Sequence, residues 1–296
     1  MSVETLKLPN HADLHCHLWT TGFDPEVTVI IVHGLGDHGG RFRDCAKRFL
    51  DHGIAVAAVD LPGHGRSSGR RGSVHSFDRS LALVASIRKQ IGERFPTSNQ
   101  FLLGHSMGGN LAVNYALRRQ EFDHFDQSPL TGMMLVAPML MPPQHLDRPN
   151  LFAAWATGYM LPWVRLRKPP NVASLTADAS IAQQVAADPY QHSVISLYNA
   201  TQLIAQGRFA LDHASEVDTP TLILYGERDE LIDRAACRHF AMRAGANVRS
   251  IAWPNGLHDL LHDVDSGDVF ETLLRWLHGT ASNCDRTTQR LTVHSE

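Results

Sequence analysis

The sequence predicts an α/β fold, with a mostly parallel central sheet flanked by helices and an inserted helical cap. Three observations point there. Short β-branched apolar runs recur along the chain, helical patterns lie between them, and the alternation breaks once near the middle. The runs are 27–33 (VTVIIVH), 54–60 (IAVAAVD), 100–104 (QFLLG), 131–137 (TGMMLVA), 219–225 (TPTLILY) and 247–253 (NVRSIAW). Runs that are apolar throughout suit strands buried on both faces.

Helical patterns occupy roughly 40–52, 76–95, 107–119, 233–244 and 266–278. Strands alternating with helices build βαβ units and hence a parallel sheet. Between 138 and 214 the alternation stops. That stretch holds PMLMPP, then LFAAWATGYMLPWVRL (151–166), then KPPNV, then SIAQQVAA ending at Asp188-Pro189. The expected organisation is a core over 1–137 and 215–279, a helical cap over 138–214, and a polar, patternless tail over 280–296. The run 151–166 is too short and too marked by proline to span a membrane.

Composition narrows the function. Hydrophobic residues make up 43% and charged residues 19% of 296, which fits a globular chain with a real core. A net charge of −3 gives no electrostatic case for a nucleic-acid partner. The N-terminus lacks a continuous apolar stretch of the secretory kind. Cys16, Cys45, Cys237 and Cys284 are widely spread with no CxxC, so a cytoplasmic-type compartment fits better than a disulfide framework. His15-Cys16-His17 resembles a metal clip, but neighbours in a strand point to opposite faces, and no metal is expected there.

Gly34-Leu35-Gly36-Asp37-His38-Gly39 matches GxGxxG after a strand, and Asp60 ends the next strand. That is the dinucleotide-binding pattern, and an NAD-dependent oxidoreductase is its reading. Two features oppose it. His33 stands directly before the first glycine, and Asp60 runs into a second glycine-rich turn, Leu61-Pro62-Gly63-His64-Gly65-Arg66-Ser67.

Gly104-His105-Ser106-Met107-Gly108-Gly109 contains GxSxG. The apolar FLL runs into it and NLAVNYALRR runs out of it, the strand–turn–helix setting of a nucleophile elbow. There a serine occupies a strained turn, and side chains two residues either side would collide with it or with a neighbouring strand. Ser106 is the predicted nucleophile, and a helix start puts a backbone N–H beside it.

A serine needs a base, and the base an orienting acid, in the chain order serine, acid, histidine. After 219–225 comes Gly226-Glu227-Arg228-Asp229-Glu230-Leu231-Ile232-Asp233. Asp229 is the first choice there, ahead of Glu227 and of Asp233, which also suits a helix cap. After 247–253, His258 lies in a loop, and His262 one turn further on. His258 is nearer the strand end and is the better base. The pair lacks the glutamate of an HExxH metal site.

Together these residues resemble the monoglyceride lipase and lysophospholipase branch of the α/β-hydrolases, the serine aminopeptidase S33-like hydrolases. The likeness covers most of 14–278. It rests on His33 to Phe42, Asp60 to Gly69, Arg71-Gly72 with Ser76-Phe77-Asp78, Gly104 to Gly109, Ala137-Pro138, Leu175-Thr176, Ala187-Asp188-Pro189, Gly226 to Asp229, and His258. The resemblance implies the α/β-hydrolase fold, a triad of Ser106, Asp229 and His258, and an oxyanion hole from the backbone N–H groups of Leu35 and Met107. It gives the first glycine loop a task without a nucleotide. Two departures stand out: Leu61-Pro62 where the branch often has histidine and arginine, and Asp259 where it usually has glutamate.

The expected function is hydrolysis of carboxylic esters of lipid-like substrates, monoacylglycerol or lysophospholipid, through an acyl-enzyme and with no cofactor. The alternatives are an amidase of the aminopeptidase kind, a general carboxylesterase, and a non-catalytic binder. Phe152, Trp155, Tyr159 and Trp163 recur at spacings of three and four, as on one helix face. That stripe either packs the cap onto the core or lines an acyl channel and touches a lipid surface. The partners expected are a small lipid ester and, through the cap, a transient membrane surface.

Overall fold

The fold is taken from a computed structural model that describes residues 2–5, 14–72, 76–122, 129–143, 160–167 and 171–293. Its main sheet has eight strands. They are β1 (Ser2–Thr5), β2 (Cys16–Thr20), β3 (Val27–Val32), β4 (Ala55–Val59), β5 (Asn99–His105), β6 (Leu130–Val136), β9 (Thr221–Gly226) and β10 (Val248–Trp253). The order is β1-β2-β4-β3-β5-β6-β9-β10. From β4 to β10 every pairing is parallel, and β1 and β2 join antiparallel at one edge. This is the expected α/β-hydrolase sheet.

The helices are α1 (Arg43–Asp51), α2 (Phe77–Arg94), α3 (Met107–Leu117), α4 (Ala179–Ala187), α5 (Leu197–Asp212), α6 (Arg234–Ala244) and α7 (Ser266–Val293). Strand periodicity sorts the core. Ile30 and Val32 of β3 face a cluster with Leu81 of α2, Leu111 of α3, Leu203 of α5 and Phe240 of α6. Val29 and Ile31 face the opposite cluster, with Phe49 of α1 and Phe270 and Leu273 of α7. Successive residues of one strand thus feed two separate layers, which is why the strand runs read as continuously apolar.

Several helix starts carry the caps their sequences advertise. Ser76 Oγ accepts from Arg79 N–H, the Asp178 carboxylate from the Ser180 and Ile181 N–H groups, and Asp233 from Ala235 N–H.

Three elements differ from expectation. α7 continues to Val293, through much of the segment predicted as a patternless tail. α5 lies within the segment assigned to the cap, yet it packs on α3: Asn110 Nδ2 donates to Leu203 O and Asn114 Nδ2 to Gln206 O. The insertion also contains a small antiparallel pair, β7 (Arg165–Arg167) with β8 (Val194–Ser196), beside the helix expected at SIAQQVAA. No helix among the described residues is long and apolar enough to cross a membrane.

β3 lies between β4, which follows it in the chain, and β5, which starts the other half. Loops leaving β3 and β5 therefore diverge at their carboxyl ends, and such a switch point leaves a crevice for a ligand.

Candidate active site

Ser106 stands between β5 and α3 with φ 53° and ψ −114°, a left-handed region that costs a non-glycine residue about 1–3 kcal/mol. Its neighbours hold it there. Ser106 N–H donates to Val136 O at 3.0 Å, and Ser106 O accepts from Gly109, Asn110 and Met139 N–H. The motif glycines are needed for space. A Cβ on Gly108 would overlap the Val32 carbonyl, and one on Gly104 would sit 2.6 Å from Gly108 O.

His258 Nε2 lies 3.0 Å from Ser106 Oγ, and His258 Nδ1 lies 2.8 Å from Asp229 Oδ2. The Asp229 carboxylate accepts, so Nδ1 carries the proton and Nε2 is free to receive one from the hydroxyl. Asp229 Oδ1 accepts from Leu231 N–H at 2.8 Å, and its side chain has no solvent access. The loops after β9 and β10 are stitched together: Glu227 N–H donates to Trp253 O and Arg228 N–H to Gly256 O. That stitching sets Asp229 beside His258. Glu227 is exposed, and Asp233 is the cap of α6.

Burial opposes protonation of His258, but the charge of Asp229 and its hydrogen bond outweigh this and raise the pKa above the ordinary histidine value. His105, 153 positions away in sequence but next to His258 in space, behaves oppositely. Burial lowers its pKa to about 4, so it stays neutral, and its Nε2–H donates to His258 O at 3.4 Å.

The first glycine loop passes against the serine. A Cβ on Gly34 would be 3.2 Å from Ser106 Cβ. Among the described residues no protein acceptor takes the Leu35 or Met107 N–H; Met107 follows the serine directly, and Leu35 follows the glycine that packs on it. His33 fixes this loop. Its Nδ1–H donates to Gly34 O at 2.7 Å, and its Nε2 accepts from Leu61 N–H at 2.9 Å. The residue that counted against a dinucleotide fingerprint is a neutral strut between two loops. Asp60, the supposed ribose ligand, is fully buried, and its two oxygens accept from Gly39 and Arg66 N–H at 2.7 and 2.8 Å. Asp60 is thus committed to the loop framework and has no exposed face for a ribose.

Beneath the site runs a buried ionic chain that the sequence did not reveal. Arg41 donates to Asp259 Oδ2 at 2.7 Å and to Asp37 Oδ2 at 3.2 Å. Asp259 Oδ1 faces His262 Nδ1 at 2.8 Å, and His262 Nε2 lies 3.1 Å from Arg41 O. Burial alone would raise the Asp259 pKa, but His262 and Arg41 together hold it well below the usual carboxylate range. The His258–His262 spacing thus serves this chain, with Asp259 between the two histidines.

The insertion grips the first glycine loop. His192 N–H donates to Gly36 O at 2.9 Å, and His38 Nε2 meets Asp188 Oδ2 at 2.8 Å. His192 Nε2–H donates to Gly63 O, while its Nδ1 accepts from Val194 N–H, each at 3.2 Å.

Of the predicted cap contacts, Phe152, Trp155 and Tyr159 lie outside the described residues. Trp163 itself stands outside any helix. Met160 is the last helical residue, and Pro162 and Trp163 form a turn, because proline lacks the N–H that would continue the helix. Trp163 is 64% exposed. A small, mainly apolar pocket beside Met107, the residue after the serine, is lined by Leu61, Pro62, Phe77, Leu111 and Leu203 with Ser80 and Asn199.

A family model described as serine aminopeptidase, S33 matches residues 24–265. The chain belongs to this family. It is 28% identical to a monoacylglycerol lipase of Mycolicibacterium smegmatis over 88% of this chain and 91% of that one. It is 28% identical to an uncharacterized abhydrolase domain-containing protein of Dictyostelium discoideum over 95% of this chain, which spans only 29% of that relative. Among solved structures, the monoacylglycerol lipase of Paleococcus ferrophilus superposes with a TM-score of 0.79 at 24% identity, covering 90% of this chain and 99% of that one. The S33 chain is thus a monoglyceride lipase-like α/β-hydrolase, as its motifs implied.

Proposed function

We propose that Ser106, His258 and Asp229 are the nucleophile, base and orienting acid of a serine hydrolase that cleaves monoacylglycerol or lysophospholipid-like esters. At the level of class the protein is an ester hydrolase acting on lipids. The observation that carries the residue roles is the continuous relay of 3.0 and 2.8 Å from Ser106 Oγ through His258 to Asp229.

In this mechanism His258 Nε2 takes the Ser106 proton as Oγ attacks the ester carbonyl. The Leu35 and Met107 N–H groups receive the oxyanion, and each such donor is worth about 10²–10³ in rate. The intermediate collapses, and the alcohol leaves with the proton from His258. Water, deprotonated by His258, then cleaves the acyl-enzyme. The apolar side chains of Leu61, Phe77, Leu111 and Leu203, grouped beside Met107, would meet the acyl chain.

The insertion would meet the lipid surface. Met160, Leu161, Trp163 and Leu166 are exposed together with Arg165 and Arg167, a mixture that suits an interface with anionic headgroups. An amidase that held a peptide amino terminus would need a spare acid there. Among the described insertion residues the carboxylates are Asp178, which caps α4, Asp188, which meets His38, and Asp212, which pairs with Arg208 at 3.5 Å. Fluorophosphonate labelling of the intact chain, lost in Ser106→Ala, tests the nucleophile. A probe that labels both forms equally overturns it.

A further inference from the structure

We infer that His15, His17 and Asp60 form a binding site for a divalent transition metal of the zinc class, outside the catalytic centre. The strand register creates the cluster. β2 and β4 are antiparallel, with His17 opposite Ala58 and Cys16 opposite Val59. The next bond, Asp60 N–H to His15 O at 2.8 Å, continues the ladder. His15 therefore stands across from Asp60, and His17 lies two residues along on the same face. The alternation that separates Cys16 from the histidines unites the histidines with each other. This revises the expectation that no metal site forms here.

One ligand atom from each of the three lies within 4.8 Å of the others. The His15 and His17 rings meet edge to face at 4.3 Å between centroids, and His17 Nε2 is 4.0 Å from Asp60 Oδ1. A tetrahedral zinc with bonds of about 2.0–2.2 Å needs ligand atoms about 3.4 Å apart. Closing the remaining gap takes small side-chain rotations. His15 Nε2 is shielded from solvent and has no hydrogen-bond partner, a state that costs a buried polar atom about 1–3 kcal/mol. A bound ion would remove that cost or be joined by the ring after a flip.

The supports around the ligands are built. Asp60 is oriented by the Gly39 and Arg66 N–H groups, and each carboxylate oxygen keeps a second lone pair for an ion. The His17 ring is stacked on Trp19 at 5.1 Å and 7° between planes. Backbone-bonded carboxylates and fixed rings are what second-shell contacts supply in metal sites. Two imidazoles and one carboxylate suit Zn²⁺, Co²⁺ or Ni²⁺ and not the all-oxygen preference of Mg²⁺ or Ca²⁺.

The test uses the full chain without a histidine tag, freed of metal by chelator. Calorimetry with ZnCl₂ and absorption with CoCl₂ should show one saturable equivalent, with the intensified visible bands of low-coordinate cobalt. In His15→Gln/His17→Gln the equivalent should vanish while circular dichroism and fluorophosphonate labelling persist. Should the double variant not fold, His15→Gln and His17→Gln singly should each weaken binding by about tenfold or more. Absence of saturable binding in the wild type, or equal binding in these variants through others of the 18 histidines, overturns the site. A Mg²⁺ response matching that to Zn²⁺ does so too.

Discussion

The backbone N–H of His192 donates to the carbonyl oxygen of Gly36 at 2.9 Å. One residue of the insertion thereby fixes the far side of the loop whose Gly34 packs against Ser106. Gly36 has φ +75°, and a Cβ there would overlap the His192 carbonyl. Gly36→Ala is therefore expected to push the two segments apart. Small misplacements near a reacting centre cost up to about 10²-fold, so kcat on a short-chain ester should fall tenfold or more with little change in KM. An unchanged kcat would show that the loop does not depend on this contact.

The raised pKa of His258 has a definite sign in activity. The base must be neutral to accept the serine proton, so activity should rise with pH through a midpoint above the ordinary value of about 6.5. Asp229→Asn removes the charge that raises it. The midpoint should move down, and kcat should drop by about 10⁴. A pH–rate profile that keeps its midpoint in the variant would separate Asp229 from the base.

Asp259 makes a stability prediction, from a pKa shifted the opposite way. Its folded pKa is depressed, so its contribution is present above the unfolded value of about 3.9 and is lost as pH falls through the folded value. Asp259→Asn breaks a buried ion pair with Arg41, which typically costs about 3–5 kcal/mol. Urea unfolding at pH 7 should show the loss, and the variant should lose less further stability below pH 4 than the wild type. Parallel pH dependences would contradict it.

Filling the apolar pocket should change chain-length preference. Leu203→Trp adds bulk beside Met107 and Leu111. Hydrolysis of long-chain monoacylglycerols should fall by tenfold or more relative to acetate esters, measured as a ratio of kcat/KM. Proportional losses on both would mean that the acyl chain lies elsewhere.

The parts of this molecule that the sequence disclosed are those whose cause is local. Apolar runs announced the parallel strands, and GxSxG announced the turn, because Gly104 and Gly108 are demanded by contacts within a few residues of Ser106 or with the adjacent strand. β1 left no signal, since four residues at a sheet edge bury too little. α5 was hidden because Asn199, Thr201 and Gln202 are buried polar residues on a packed helix, and Gly207 sits where the Leu140 carbonyl approaches. The distal part of α7 is polar, so it has no apolar period to read. The Arg41–Asp259–His262 chain and the His192 contact join residues about 150 to 220 positions apart, and only the folded chain brings them together.

The attachment of His192 to Gly36, Gly63 and Val194 also bears on how this family can diversify. An insertion that merely roofed the site could be exchanged between relatives as a unit. Here residues 188–196 brace the loops at 34–41 and 61–72. A chimera that imports a foreign cap must therefore bring matching loops with it, or lose the geometry at Ser106 along with the old specificity.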